Sequence, residues 1–342
     1  MAERGHEVRF WRRDAAALRP LLENPQITVT DVRGTRDVAI QRVCVQLSDA
    51  VAGAELILIP LPATSQLELA DRLAPLLRDG QVVFLPPGTF GSIVFARAMR
   101  ACENRAQVSF AETGTLPNLV RKQGPTQIVV SGYGKHLPTG VFPARLADHA
   151  MPVLQAAYPS IQPIEDVLSA ALMNAGPIIH PPLILMNAGP LEHLPAWDIH
   201  NEGTQPAIRR VTDRLDEERI AIRERLGYRA PHFPLRDHYA SSGPEWMYGR
   251  TAHESLTKSG DWREKIDLQT HRYMLEDTRL GLSLLVSVAK WAGVATPVAT
   301  GLVALATAVV GNGFAAGART LESLGLADYT HGQMQTLLRK GL

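Results

Sequence analysis

Residues 55–85, ELILIPLPATSQLELADRLAPLLRDGQVVFL, carry the pattern that decides the fold. The apolar run Glu55–Pro60 ends at a proline, and Gln81–Leu85 is a second apolar run. Between them Thr64 or Ser65 can cap a helix that continues to about Leu77. Short apolar strands joined by a helix are buried on both faces of a sheet, so this stretch predicts a parallel β-α-β unit.

The same alternation extends in both directions from this unit. Further strands are predicted at Glu7–Trp11, Ile27–Val32, Gln107–Phe110 and Gln127–Ser131, with segments between them long enough for crossover helices. Strands and helices in this order are typical of an α/β domain with a doubly wound parallel sheet.

The second half of the chain has helical periodicity instead. Predicted helices lie at 166–173, 206–226, 268–291 and 297–310. The 342 residues are enough for two domains. We therefore predict an α/β domain over residues 1–162 and an all-α domain over residues 163–342.

Composition excludes several classes of protein. The 35 basic and 34 acidic side chains give a net charge of +1, which argues against a nucleic-acid binder. Cys44 and Cys102 are too few for a disulfide framework or a zinc site, so a cytoplasmic protein without a metal is expected. The charged start argues against a signal peptide. Lys290 and Pro297 interrupt the apolar stretch 280–316, so no membrane span is expected.

A glycine-rich dinucleotide fingerprint is not found where this fold should carry it. Gly132-Tyr133-Gly134 lacks the third glycine, and the glycines at 311–317 follow a helical segment instead of a strand. The opening MAERGHEVRFWRRD is similar to the end of a first helix and a second strand. The first strand and glycine turn would then lie about 20 residues upstream. We expect a start codon placed too late or a shortened chain, or else a degenerate domain that does not bind a cofactor.

Two arginines stand where the second strand of such a domain would end. An acidic residue there binds the ribose 2′-hydroxyl of NAD, whereas arginine suits the 2′-phosphate of NADP. Arg12 and Arg13 therefore favour NADP, with NAD possible. The alternative is an ordinary solvated charge pair.

A near-repeat marks the junction of the two predicted domains. MNAGPIIHPP at 173–182 is followed by MNAGPLEHLP at 186–195. Pro181 and Pro182 cannot lie deep inside a helix, so His180 is expected in a stiff turn between prolines. Considered alone, this histidine is compatible with a purely structural role, and His193 is interpreted as structural.

Five motifs in order carry a resemblance to a known family. They are RGHEV at 4–8, ETGTLPN at 112–118, LMNAGPIIHPP at 172–182, EGTQPAIRRVTDRLDEER at 202–219 and RYMLEDTRLGL at 272–282. Together they resemble the octopine/nopaline (opine) dehydrogenase family over nearly the whole chain. The resemblance implies a Rossmann-like first domain that binds NAD(P), followed by a helical substrate domain.

The resemblance also implies a reaction and roles for three residues. The family joins the amine of an amino acid to a 2-keto acid with NAD(P)H. His180 matches its catalytic histidine, Asp277 the acid paired with that histidine, and Arg272 the arginine that holds a substrate carboxylate. Histidine suits proton transfer near neutral pH, and arginine suits a carboxylate. On an α-helix Arg272 and Asp277 would be about 140° apart, so they could line one cleft but would not be stacked on one face.

The remaining predictions concern the cofactor, the assembly and the alternatives. Pro60, Gly88 and Asn174 are predicted to flank the cofactor, although Gly88 is also compatible with a plain turn and Asn174 with a turn-fixing role. A homodimer is expected. The alternatives are a simple 2-keto-acid or glycerol-phosphate-type reductase, or a relative that lacks catalysis. A reductase of that type would ordinarily use a catalytic lysine, and residues 174–182 contain none.

Overall fold

The computed structural model describes residues 1–250, 253–254, 257, 262–311 and 313–342. The strands of these residues are β1 (Arg9–Trp11), β2 (Gln26–Asp31), β3 (Gly34–Ala39), β4 (Arg42–Cys44), β5 (Leu56–Leu58), β6 (Val82–Leu85), β7 (Ser109–Thr113), β8 (Asn118–Lys122), β9 (Gln127–Tyr133), β10 (Leu137–Phe142), β11 (Ile161–Pro163), β12 (Trp197–Asp198) and β13 (Arg263–Glu264).

The α-helices of the described residues are α1 (Arg19–Glu23), α2 (Leu47–Val51), α3 (Gln66–Leu73), α4 (Gly91–Ala101), α5 (Ala147–Ala157), α6 (Val167–Ala171), α7 (Gly176–Met186), α8 (Ala188–His193), α9 (Pro206–Arg225), α10 (Arg236–Tyr239), α11 (Ser283–Ala292), α12 (Pro297–Val310), α13 (Gly313–Ala316) and α14 (His331–Lys340). A π-helix spans Tyr273–Leu282, and short 3₁₀ turns lie at Ala2–Arg4, Ala63–Ser65, Ala74–Leu76 and Ala144–Leu146.

The main sheet contains the β-α-β unit that the sequence predicts. Its strand order is β11-β10-β7-β6-β5, and β5, β6 and β7 are parallel to one another. All four residues of β6 are buried, as expected for a strand covered on both faces. The Rossmann-like class is confirmed, but the sheet is mixed because β10 runs antiparallel to β7.

A separate four-stranded sheet corrects one part of the predicted topology. Its order is β3-β2-β9-β8, with β2 parallel to β9 and the other two pairs antiparallel. The predicted strands 27–32 and 127–131 therefore lie here, outside the main sheet. Exposed and buried residues mix along β9, which is typical of a sheet with one solvated face. β1 pairs with β4 in a third, two-stranded sheet.

The helical half follows the predicted periodicity, with one error at the prolines. Helix α7 continues through Pro181 and Pro182, so His180 lies inside a helix and not in a turn. Each proline removes one backbone hydrogen bond. The helix nevertheless persists because both prolines are buried and Gly281 of the π-helix lies against Pro177 of α7. Close packing between the two helices replaces the lost hydrogen bonds as the source of stability.

One segment has the length and composition of a membrane span, contrary to the expectation. It is Val167–Met186, with a mean hydropathy of 1.3 over its best window. Of that window 78% is buried inside the fold, as in the core helix of a soluble protein. The segment supplies core residues such as Leu168 and Ile178.

Candidate active site

His180 and Asp277 lie in direct contact between two helices. His180 projects from α7 and Asp277 from the π-helix, and His180 Nδ1 is 2.8 Å from Asp277 Oδ2. Both side chains are largely buried, with 15% and 11% of their surfaces exposed. The His180 ring also stacks on Tyr273, with ring centres 3.8 Å apart and planes 17° from parallel. The imidazole is therefore held from its edge and from one face.

The π-helix changes how Arg272 and Asp277 are related. Its hydrogen bonds join residues five apart, so residues five apart lie about one turn above each other. Arg272 stands at the N-terminal end of this helix, five residues before Asp277. The 140° separation expected for an α-helix therefore does not apply, because Asp277 lies in a π-helix that begins at Tyr273. Arg272 is exposed, and its guanidinium carbon is 5.0 Å from the centre of the Tyr273 ring.

Burial sets the protonation of the pair. Desolvation lowers the pKa of His180 well below its usual value, and the nearby positive charges of Arg272 and His271 lower it further. Desolvation raises the pKa of Asp277 to about 7, against the opposing effect of Arg272. Both shifts disfavour a fully charged pair. A neutral imidazole whose Nδ1–H donates to Asp277 leaves Nε2 as the nitrogen that can exchange a proton.

Hydrogen bonds join Glu276 and Asn174, which are near this pair in the sequence, to the loops that follow two of the parallel strands. The backbone N–H of Ala63, after β5, donates to Glu276 Oε1 at 2.7 Å. Asn174 Nδ2 donates to Thr89 Oγ1 at 3.0 Å in the loop after β6. Ligands of open α/β sheets bind outside the carboxyl ends of their strands. The His180–Asp277 pair therefore lies at the edge where this fold places a ligand.

The five residues predicted to bind the cofactor occupy different settings. Pro60 is exposed directly after β5, and Asn174 is buried. Gly88 is buried against Glu112, where a Cβ atom would lie 2.2 Å from the carboxylate, so packing alone already requires a glycine. Arg13 forms an ion pair with Glu68 of α3, and Arg12 is half-buried.

These residues fit the nicotinamide end of a dinucleotide better than its pyrophosphate. Pro60 follows β5 and Asn174 bonds to the loop after β6, so both lie at the carboxyl edge of the sheet, where ligands of this fold bind. A phosphate could bind the N-terminus of α4, but the Glu112 carboxylate already accepts hydrogen bonds there from the N–H groups of Phe90 and Ser92, each at 2.7 Å. Arg12 and Arg13 remain the cationic candidates for phosphate groups.

No sequence motif indicates several of the residues that lie beside the His180–Asp277 pair. The rings of His200 and Trp262 lie next to that of His180 in a row. The centre of the His200 ring is 5.6 Å from that of His180 and 5.1 Å from that of Trp262. Arg121 from β8 lies over the face of Trp262. His200 precedes the motif at 202–219, but nothing in the spacing links Arg121 to Trp262. Within the described ranges, no group of three or more histidine, cysteine or acidic side chains could hold a metal ion.

Comparison with known proteins shows which protein family the helical half of the chain resembles. Residues 163–310 match the model for the alpha-helical domain of NAD/NADP octopine/nopaline dehydrogenase. An opine dehydrogenase from Arthrobacter sp. (strain 1C) is 28% identical over 344 residues, covering 96% of this chain and 91% of that protein.

Solved structures give the same fold. An octopine dehydrogenase in complex with NADH and agmatine has a TM-score of 0.71 and 16% identity, covering 97% of this chain and 92% of that one. A yersinopine dehydrogenase with NADP⁺ bound has a TM-score of 0.63 and 15% identity, covering 97% and 92%. Residues 163–310 therefore match the helical domain of the octopine/nopaline dehydrogenase family, and the chain as a whole is similar to an opine dehydrogenase over nearly its full length.

Proposed function

We propose that this chain is an NAD(P)H-dependent opine-type dehydrogenase that reductively condenses the amino group of an amino acid with a 2-keto acid. The observation that carries the proposal is the 2.8 Å contact between His180 Nδ1 and Asp277 Oδ2 at the carboxyl edge of the sheet. Similarity to opine dehydrogenases over nearly the whole chain supports the class of reaction.

His180 moves the protons of the condensation. The amine must lose a proton to attack the keto carbon, and the resulting hydroxyl must gain one to leave as water. Nε2 of His180 accepts the first proton and donates the second, while Asp277 keeps the ring oriented through Nδ1. A histidine buried as a neutral base is ready for the first of these steps.

Arg272 binds the carboxylate of the keto acid. Its guanidinium lies at an exposed position one π-helical turn from Asp277, so it can reach a substrate that contacts His180. A planar guanidinium makes two parallel hydrogen bonds to a carboxylate and so orients the adjacent keto group.

Pro60, Gly88 and Asn174 flank the nicotinamide, which when bound supplies the hydride that reduces the carbon–nitrogen double bond. Arg12 and Arg13 bind the 2′-phosphate, which makes NADP the preferred cofactor and leaves NAD usable. The pairing of Arg13 with Glu68 also supports a solvated charge pair at this position. Measured preference between the two cofactors separates these interpretations.

The proposal includes the division at residues 162 and 163, a cytoplasmic location and a homodimer. Free Cys44 and Cys102 agree with a reducing compartment. Light scattering coupled to size-exclusion chromatography measures the oligomeric state directly.

A coupled oxidation assay tests the function. NADPH should be consumed only when the full chain receives both an amino acid and a 2-keto acid. Consumption with the keto acid alone would identify a simple keto-acid reductase instead. No consumption with any pair, despite tight NADPH binding in calorimetry, would contradict an enzymatic role.

A further inference from the structure

A second arginine, Arg121, contacts the cluster of rings that extends from the candidate site. Arg121 belongs to β8, in the N-terminal half, whereas Arg272 belongs to the helical half. The guanidinium carbon of Arg121 lies 3.8 Å from the centre of the Trp262 ring, and Arg121 Nη2 donates to Glu264 Oε1 at 3.3 Å. These contacts join the edge of the four-stranded sheet to the β13 region of the helical half.

The rings beside Arg121 lead directly to His180. Trp262 meets His200 edge-to-face, and His200 meets His180 in the same way. On the other side, Glu264 Oε2 lies 3.9 Å from His271 Nε2, and the His271 ring meets Tyr273 at 4.4 Å. Arg121 and His180 therefore line one continuous cluster of aromatic and polar side chains.

This cluster contains buried polar atoms that have no partner among the described residues. They are Arg121 Nε, His200 Nε2, Trp262 Nε1 and Tyr273 Oη. Buried polar atoms nearly always have a hydrogen-bond partner, so several such atoms in one cluster indicate that water or a polar ligand binds there. Arg121 Nε, Trp262 Nε1 and Tyr273 Oη can all donate, which suits a ligand rich in acceptors.

The proposed reaction requires a second carboxylate anchor. Its two substrates each carry a carboxylate, and Arg272 can hold only one of them in a bidentate manner. Arg121 comes from the N-terminal half of the chain and Arg272 from the helical half, so two separate segments would hold the two substrates. Glu264 fixes the direction of the guanidinium while Nε remains free for a ligand.

We propose that Arg121 binds the carboxylate of the amino-acid substrate and thereby selects amino acids over amines that lack a carboxyl group. This inference rests on the proposed function and extends it to the amine half of the site. The Trp262 ring lies against the guanidinium of Arg121 and stabilises its position, since arginine stacks favourably on an indole face.

The test compares amino acids with their decarboxylated counterparts. NADPH oxidation is measured with pyruvate and with matched pairs: L-arginine and agmatine, L-phenylalanine and phenethylamine, L-leucine and 3-methylbutylamine. The native chain should prefer the amino acid of the pair it uses by at least about tenfold, as one charge-assisted hydrogen bond provides. Arg121→Gln should raise KM for the amino acid about 10- to 100-fold and remove this preference. KM for pyruvate should not change.

Two further variants keep the result interpretable. Arg121→Lys preserves the charge without the planar fork, so it should recover part of the preference and shows that position 121 tolerates substitution. Lys122→Gln removes a charge from the adjacent, exposed position of β8 and should leave both KM values unchanged.

Other outcomes overturn the assignment. A rise only in KM for pyruvate would assign Arg121 to the keto acid, and unchanged preference in a folded Arg121→Gln protein would reduce it to a contact between the two halves. Inactivity of the native chain with every amine and keto acid would instead contradict the proposed function itself.

Discussion

Gly176 lies directly against Asp277. A Cβ atom at position 176 would stand 2.1 Å from Asp277 Oδ1, well inside van der Waals contact. Gly176 is the first residue of α7, four residues before His180. The absence of a side chain there allows α7 and the π-helix to approach until His180 and Asp277 can form a hydrogen bond.

Gly176→Ala should displace Asp277 from His180 and lower kcat about 10- to 100-fold, since a mispositioned general acid–base pair loses part of its 10²–10⁴-fold contribution. Because the Gly176 N–H donates to Asn174 Oδ1, beside the expected nicotinamide, kcat is measured by steady-state kinetics at saturating NADPH. Gly189→Ala in α8 is the matched control, because a Cβ atom there meets nothing within 4 Å. Full activity in Gly176→Ala would show that turnover does not depend on this contact.

His180→Ala should lower turnover about 10²–10⁴-fold while the dissociation constant for NADPH stays within about twofold, because the imidazole acts on protons of the substrates. His193→Ala is the control: His193 occupies the equivalent place in the second MNAGP segment but is exposed. Loss of NADPH binding in His180→Ala, measured by calorimetry, would assign His180 a structural role.

Replacement of Arg12 and Arg13 by Asp and Ser should shift preference from NADPH towards NADH, because it removes the cations proposed to bind the 2′-phosphate. The readout is the ratio of kcat/KM for the two cofactors. Arg19 and Arg225, both exposed, carry the same substitutions as a control for net charge. An unchanged ratio would leave Arg13 with only its ion pair to Glu68.

Buried histidines should make the fold sensitive to acid. Burial lowers the pKa of His238 to about 3, so the unfolded chain binds a proton at this position below pH 6.5 and the folded chain does not. As the pH is lowered from about 6.5 to about 3, the free energy of unfolding should therefore decrease by about 1.4 kcal/mol per pH unit for this residue.

The difference between the native chain and His238→Phe isolates this contribution. Acidic groups whose pKa burial raises, such as Asp277 and Glu276, act in the opposite direction and cancel in the difference. Urea unfolding at several pH values should show a slope smaller by about one proton in His238→Phe. Parallel curves would mean that His238 titrates equally in both states.

Local patterns predicted the β-α-β unit and most helices, because apolar runs and helical periodicity are properties of short segments. They placed β9 in the wrong sheet, since a strand of mixed burial carries no signal that names its neighbour. They also placed His180 in a turn between prolines, whereas α7 continues through Pro181 and Pro182 and packs against the π-helix at Pro177 and Gly281.

At the candidate site, too, the sequence indicates the residues but not their arrangement. Motif order was enough to select His180, Arg272 and Asp277, although their roles stay predictions until the variants are measured. The π-helix that contains Asp277 could not be predicted from the spacing of residues 272–282, because the same sequence fits an α-helix.

The amino-acid sequence by itself determines which secondary-structure elements form and which residue types are available for proton transfer and carboxylate binding. Folding settles which of them meet: His180 with Asp277, and Arg121 with Trp262 across 141 positions. The physical reason is that propensity and hydrophobic pattern act over a few residues, whereas a site is assembled by packing between segments that are distant along the chain.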